Sequence, residues 1–229
     1  MRILDLFCGA GGAGAGYADA GFEVVGVDIA PQPNYPYTFI QQDALTFSRR
    51  WLASFDAIHA SPPCQFGTAL RHAPGGKKDH PNLIPATREL LKNSGRPYVI
   101  ENVAGSKAHL LNPAMLCGSM FNLGVRVGEQ WYQLRRHRYF ETSFPFTPRR
   151  CIHGFACIGI YGGHVRCRSA KFGGRKTKDF VGADKPELAG NAMGMPWATM
   201  AEMSQAIPPA YTRYVGWQLS DYLWDQQRG

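Results

Sequence analysis

The sequence predicts an α/β fold, a Rossmann-like doubly wound parallel sheet carrying a small irregular basic lobe. Three observations lead there: short apolar runs that end on acids or turns, a glycine-rich turn after the first run, and helical stretches between runs. "RILDLF" (2–7) is an apolar strand, and "CGAGGAGAG" follows it as a turn opening a helix of small residues to Ala20. "FEVVGVD" gives a second strand ending on Asp28, "YTFIQQDA" a third ending near Asp43, and "FDAIHA" a fourth. In "NLIPATRELLKNSG", Leu83, Ile84, Thr87, Leu90 and Leu91 recur at helical spacing, with Gly95 past the end. "RPYVIENV" is the fifth strand.

After Pro113 the alternation weakens, and residues 145–186 are rich in Gly, Arg, Lys and His with little periodicity. Order returns in "PPAYTRYVGWQLSDYLWDQ", an amphipathic helix that two prolines open. The division expected is a catalytic domain over 1–140 and 191–229, with a target-recognition lobe over 141–190.

Composition narrows the class. Hydrophobic residues make up 45% and charged residues 18% of 229, ordinary values for one globular core with an appendage. There is no run of 18 apolar residues, and "MRILDLF" has no secretory h-region, so the expectation is a cytoplasmic protein with no membrane partner. Six cysteines then read as free thiols or metal ligands. Between Arg149 and Lys185 nine Lys or Arg stand against two Asp, a net +7 of the chain's +8. So local an excess suggests a polyanionic partner, with a solvated loop as the alternative.

Gly9-x-Gly11-x-x-Gly14 matches a dinucleotide fingerprint, and Asp28 at the next strand end is placed for ribose hydroxyls. The pattern suits a nicotinamide cofactor and S-adenosylmethionine equally. In the second case Asp43 would reach the adenine amino group. The chemistry downstream has to decide.

"SPPCQ" (61–65) puts Cys64 directly after two prolines at a strand's carboxyl end, on a stiff, extended backbone. A buried packing thiol is the plain alternative. "ENV" (101–103) closes the neighbouring strand, so Glu101 should stand beside Cys64 at one sheet edge. A thiol and a carboxyl are no hydride-transfer set, which disfavours a dehydrogenase. They suit covalent activation of an electron-poor ring: a thiolate adds to carbon 6 of cytosine, an acid serves N3, and carbon 5 becomes nucleophilic.

With these residues in hand, the chain resembles the DNA (cytosine-5)-methyltransferase family, as a compact, phage-like member. The resemblance rests on the ordered run DLFCGAGG, VD, SPPCQ, ENV, RRHRYF and AIPPAY. It implies the S-adenosylmethionine-dependent methyltransferase fold, S-adenosylmethionine as cofactor, and methyl transfer to carbon 5 of a flipped-out cytosine. Cys64 resembles the nucleophile and Glu101 the N3 partner. Arg136 and Arg138 resemble the arginines of a Gln-x-Arg-x-Arg motif that contact the base and hold the catalytic loop. Phe7, Gly9, Ala10, Gly11, Gly12, Asp28, Ile29, Asp43, Ala44, Pro63, Gln205 and Ile207 are the implied cofactor contacts. Gln65, Arg149, Arg150, Arg166, Arg168, Arg175, Lys176 and Lys178 are the expected contacts to double-stranded DNA, bound by a monomer. A role in restriction-modification or phage genome protection fits the compact size.

The chain departs from the family pattern in places. Leu134 stands where the motif has Gln, with Gln133 adjacent; Gln205 replaces Asn; Gly67-Thr68 replace an aromatic-serine pair. The target-recognition region is short, which implies a short or loosely read DNA sequence. Cys151-x-His153-x-x-x-Cys157, with Cys167 or His164 beyond, suggests zinc, but the spacing is irregular and packed thiols are the reading preferred, with no metal expected. Rival functions are the same fold acting on RNA, transfer of a larger alkyl group, or a DNA-binding relative without turnover.

Overall fold

The computed structural model describes residues 1–63, 81–161, 164–168 and 186–228. Among them the core is a seven-stranded sheet. β1 (Arg2–Leu6), β2 (Glu23–Asp28), β3 (Thr38–Gln41), β4 (Ala57–Ala60) and β5 (Tyr98–Asn102) run parallel in the order 3-2-1-4-5. β1, β2, β4 and β5 are almost wholly buried along their length, as parallel strands covered on both faces must be. β9 (Arg138–Thr142) then adds antiparallel to β5, and β6 (Ala114–Leu116) antiparallel to β9. Strand order reverses between β1 and β4, so the crevice for a ligand opens at their carboxyl ends.

The helices follow the expected signals. α3 (Ile84–Ser94) carries proline at its start and stops at Gly95, which adopts the left-handed C-cap conformation at φ 73°. α5 (Met200–Gln205) opens on a reciprocal capping box between Thr199 and Glu202. α6 (Pro209–Arg228) is the long amphipathic helix, burying Tyr211, Val215, Leu219 and Leu223.

Small residues let α1 (Gly12–Asp19) lie unusually close to α6. A Cβ on Gly16 would overlap the Pro209 carbonyl and the Thr212 hydroxyl, while Thr212 Oγ1 donates to the Ala13 carbonyl at 2.8 Å. The small-residue run in the sequence is therefore a helix-packing surface as well as a turn.

Two expectations need correction. The stretch after Pro113 is not weakly structured: it supplies β6 and β9 of the core and, with β7 (Gly124–Val127) and β8 (Gln130–Leu134), half of a second sheet. That sheet has the order β11-β10-β8-β7, with β10 (Ala156–Tyr161) and β11 (His164–Arg168) drawn from the basic region. A boundary at residue 141 splits this sheet, because β10 pairs in parallel with β8 across some 20 residues of sequence. α4 (Pro186–Met193) packs on the second sheet and runs across the expected boundary at residue 190.

Because Gly16 has no room for a side chain, Gly16→Ala should force α1 and α6 apart. We expect a loss of about 1–3 kcal/mol of stability by urea unfolding, whereas Gly154→Ala, where no atom lies within 4 Å of a new Cβ and φ is not positive, should cost less. Equal losses would contradict the packing described.

Candidate active site

A cavity of about 460 Å³ opens at the strand-order reversal. One wall comes from the β1–α1 turn, where Phe7 and Gly9 adopt positive φ (58° and 50°) and bring backbone to the cavity surface. Asp28 at the end of β2 ties this turn down. Its two carboxylate oxygens accept from the Gly9 and Ala30 amides, each at 3.0 Å. Trp197 Nε1 donates to the Ala10 carbonyl at 2.9 Å, joining the turn to the carboxyl-terminal segment.

The other wall is the paired ends of β4 and β5. Asn102 Nδ2 donates to the Pro62 carbonyl at 2.8 Å, holding the Pro62-Pro63 turn against β5. Glu101 projects from β5 into the same cavity with its carboxyl buried. Burial raises its pKa above the ordinary range, while Arg138, a hydrogen bond from Ser61 and the charge of Arg136 pull the other way. Arg138 Nε lies 3.1 Å from Glu101 Oε1.

Behind Glu101 runs a chain of hydrogen bonds. Tyr17 Oη is 3.0 Å from His59 Nδ1, and His59 Nε2 is 2.9 Å from Ser61 Oγ. Full burial lowers the His59 pKa to about 3, so the ring is neutral at ordinary pH. One arrangement of protons satisfies every member: Tyr17 donates to Nδ1, Nε2–H donates to Ser61, and Ser61 donates to Glu101.

Of the residues expected at the cofactor, Phe7, Gly9, Ala10, Gly12, Asp28, Ile29, Pro63, Gln205 and Ile207 line this cavity. Gly11, Asp43 and Ala44 stand outside its lining. Gly11 is the left-handed N-cap of α1, packed on Tyr35 and Pro36. Asp43 caps the turn beyond β3 by accepting from the Leu45 amide at 2.9 Å, and Ala44 is core.

Arg138 lines the cavity, and Arg136 does not. Its guanidinium donates to the carbonyls of Ala206, Ile160 and Ser204 at 2.8, 2.6 and 2.6 Å, clamping the second sheet and α5 to the β8–β9 link. It is a positioning residue. Leu134 sits in the core and Gln133 is buried on β8.

Cys64 and Gln65 lie outside the described residues, as do Arg175, Lys176 and Lys178, although Cys64 directly follows the cavity-lining Pro63. Arg166 and Arg168 lie on β11, in register with Gly159 and Cys157. Arg149 and Arg150 are exposed, and Arg149 stacks over Tyr214 and Phe121. Asp5, Ser61, Asn102 and Glu202 also line the cavity and were not anticipated. Of these, Asp5 and Asn102 could have been noticed as polar residues in otherwise apolar strands.

Residues 1–114 match the family model described as C-5 cytosine-specific DNA methylase. Among solved structures, a candidate DNA modification methyltransferase encoded within a prophage (E. coli) is similar at 14% identity, covering 97% of this chain and 99% of that one with a TM-score of 0.62. The S. pombe Dnmt2 methyltransferase is similar at 12% identity, with the same coverages and a TM-score of 0.57. The fold is that of S-adenosylmethionine-dependent methyltransferases. No curated protein matches the sequence.

The cavity has a second buried acid, Asp5 on β1. Desolvation raises its pKa from 3.8 to about 7, against hydrogen bonds from Tyr35 and the Gly14 amide. The folded carboxyl thus keeps its proton where the unfolded one has lost it, so this group costs stability as pH rises from about 4 to about 7. Asp5→Asn removes that cost. In thermal unfolding its advantage over the native protein should grow from about pH 5 to about pH 8, by on the order of a few kcal/mol in full. An advantage independent of pH would show that Asp5 does not titrate in this window.

Proposed function

We propose that the protein is an S-adenosylmethionine-dependent DNA cytosine-5 methyltransferase acting through a covalent Cys64 adduct on a flipped-out base. The observation that carries this reading is the buried Glu101–Arg138 pair, held in one cavity with the Pro62-Pro63 turn that Cys64 follows in the sequence. The family match over the half of the chain holding both Cys64 and Glu101 supports it.

The cofactor half fits S-adenosylmethionine. Asp28, with each oxygen already taking one backbone amide, keeps lone pairs for ribose hydroxyls, and the Phe7–Gly9 backbone lets the methionine end approach closely. Bound there, S-adenosylmethionine supplies the methyl group that carbon 5 takes up.

The protein's own part is to make carbon 5 nucleophilic. The Cys64 thiolate adds to carbon 6, forming the S–C6 bond as the C5–C6 π electrons shift into the ring. Glu101, whose burial raises its pKa and so favours the acid form, donates to N3 and neutralises the developing charge. Arg138 fixes the carboxyl and offers a donor to the base. After carbon 5 is alkylated, its proton departs to a base, the S–C6 bond breaks to release the thiolate, and N3 returns its proton to Glu101 as the aromatic ring is restored. In a duplex carbon 6 is buried in the stack, so the base must be extruded to reach Cys64. The concentration of Arg and Lys over 149–185 would hold the phosphates of double-stranded DNA, and a phage or restriction-modification role suits a chain of this size.

Expression in cells lacking cytosine methylation, followed by sequencing of modified cytosines, tests the reading. The native protein should yield 5-methylcytosine in a short sequence context, and Cys64→Ala should yield none while still binding DNA. Glu101→Gln should lose about 10²-fold or more in turnover. Unmodified cytosine in DNA together with methylated RNA would reassign the substrate.

Salt dependence tests the partner separately. Each phosphate contact on duplex DNA contributes about −0.9 to the slope of log affinity against log salt. Neutralising Arg175, Lys176 and Lys178 together should therefore flatten the slope by up to roughly three contacts' worth. A flat dependence for the native protein would remove duplex DNA as the substrate.

A further inference from the structure

Away from the cavity, four side chains with metal-binding atoms converge: Cys117, His137, Cys151 and His153. Cys151 Sγ lies 3.1 Å from His153 Nε2 and 3.7 Å from His137 Nε2. Cys117 Sγ is 3.3 Å from His153 Nε2, and the two imidazole nitrogens are themselves 3.3 Å apart. All four ligand atoms fall within 4.8 Å of one another.

These distances are those of a tetrahedron around one ion. Zinc bonds of about 2.3 Å to sulfur and about 2.0–2.1 Å to nitrogen set tetrahedral edges of about 3.3–3.8 Å between ligands. Three of the four distances above fall in that range and the fourth, at 3.1 Å, lies just below it, and even an edge of 4.8 Å would close by only ~1 Å. Two thiolates and two neutral imidazoles also balance the charge of a divalent cation, which suits a site beside Arg135 and Arg138. Ser119 Oγ lies 3.2 Å from Cys117 Sγ, to which it donates, and 3.5 Å from Cys151 Sγ, outside the ligand set.

We propose that Cys117, His137, Cys151 and His153 bind one structural zinc ion, which anchors the segment 145–155 to the catalytic sheet. The need for an anchor is visible in the fold. Residues 145–155 contain neither helix nor strand, yet they lead into β10 of the second sheet. Cys117 directly follows β6, and His137 lies in the β8–β9 link, so the ion joins three distant parts of the chain. His137 also sits between the carbonyl clamp Arg136 and the cavity residue Arg138, so the ion fixes the backbone that presents Arg138 to Glu101.

The ligand set differs from the one the local spacing suggests. Cys157 is buried on β10 and is outside the quartet, while Cys117 and His137 complete it. Only Cys151 and His153 are close in sequence, which is why no familiar spacing announces the site.

The site is tested on the full-length protein, independently of any methylation assay. Purified without chelator, the protein should carry about one zinc per chain by elemental analysis. Cys151→Ser and His153→Ala should lose that zinc, and Cys157→Ala should keep it. Ser119→Ala should bind zinc about tenfold more weakly. Cobalt(II) exchanged into the native protein should give the ligand-field and thiolate charge-transfer bands of a tetrahedral site, absent from Cys151→Ser. His153 is exposed, so its alanine variant is expected to fold, and its circular dichroism spectrum checks this. Native protein that holds no zinc and takes up no cobalt would overturn the proposal. So would zinc retained in full by a folded His153→Ala, Cys151→Ser double variant.

Discussion

The arrangement turns on the burial of one carboxyl group. Glu101 stands at the end of a central strand, out of water, with a guanidinium 3.1 Å away. Placing an acid there is costly unless its surroundings hold it in one geometry, and much of the neighbouring structure serves that end. Arg138 reaches it because β9 runs back antiparallel to β5, with Glu101 opposite Phe140 and Asn102 opposite Tyr139. Arg136, two residues earlier, spends its charge on three carbonyls and so fixes where β9 begins. On the other side, Ser61 and the neutral His59 give the carboxyl a donor backed by Tyr17, a residue of α1.

Tyr17 links the two halves of the cavity. The helix that carries it begins at the glycine turn lining the cofactor wall, and that helix is pressed against α6 with no space for side chains at Gly16. The turn is tied to β2 through Asp28 and to the carboxyl-terminal segment through Trp197. A small displacement of α1 would therefore be felt at the glycine turn and, through Tyr17 and His59, at Ser61. The glycine-turn wall and the Glu101 wall of the cavity share one packed helix.

How much of this was legible in the sequence depended on range. The parallel strands, the α3 and α6 helices and the cavity residues Asp28 and Glu101 could be read because each is announced locally, by an apolar run, a capping glycine or a polar residue at a strand end. β6 to β9 were not, since short strands paired to distant partners leave little periodicity in their own windows. Arg136 was read as a base contact because motif position says nothing about which carbonyls a guanidinium finds. The Tyr17–His59–Ser61 chain spans 44 positions, and its central histidine lies in a fully buried strand where it passes for core. The Cys117–His137–Cys151–His153 quartet failed to show for the same reason: three segments supply it, and spacing rules see one at a time.

The central claim is that Cys64 attacks a base activated by Glu101. A duplex of mixed sequence with 5-fluorocytosine in place of cytosine tests it most directly, because fluorine cannot leave carbon 5 as a proton does and the adduct persists. Native protein incubated with this DNA and S-adenosylmethionine should yield a denaturant-stable protein–DNA species, with the DNA attached at Cys64 on peptide mapping. Methylation of ordinary cytosine by the same preparation without any such adduct, or an adduct at another residue, would contradict the account.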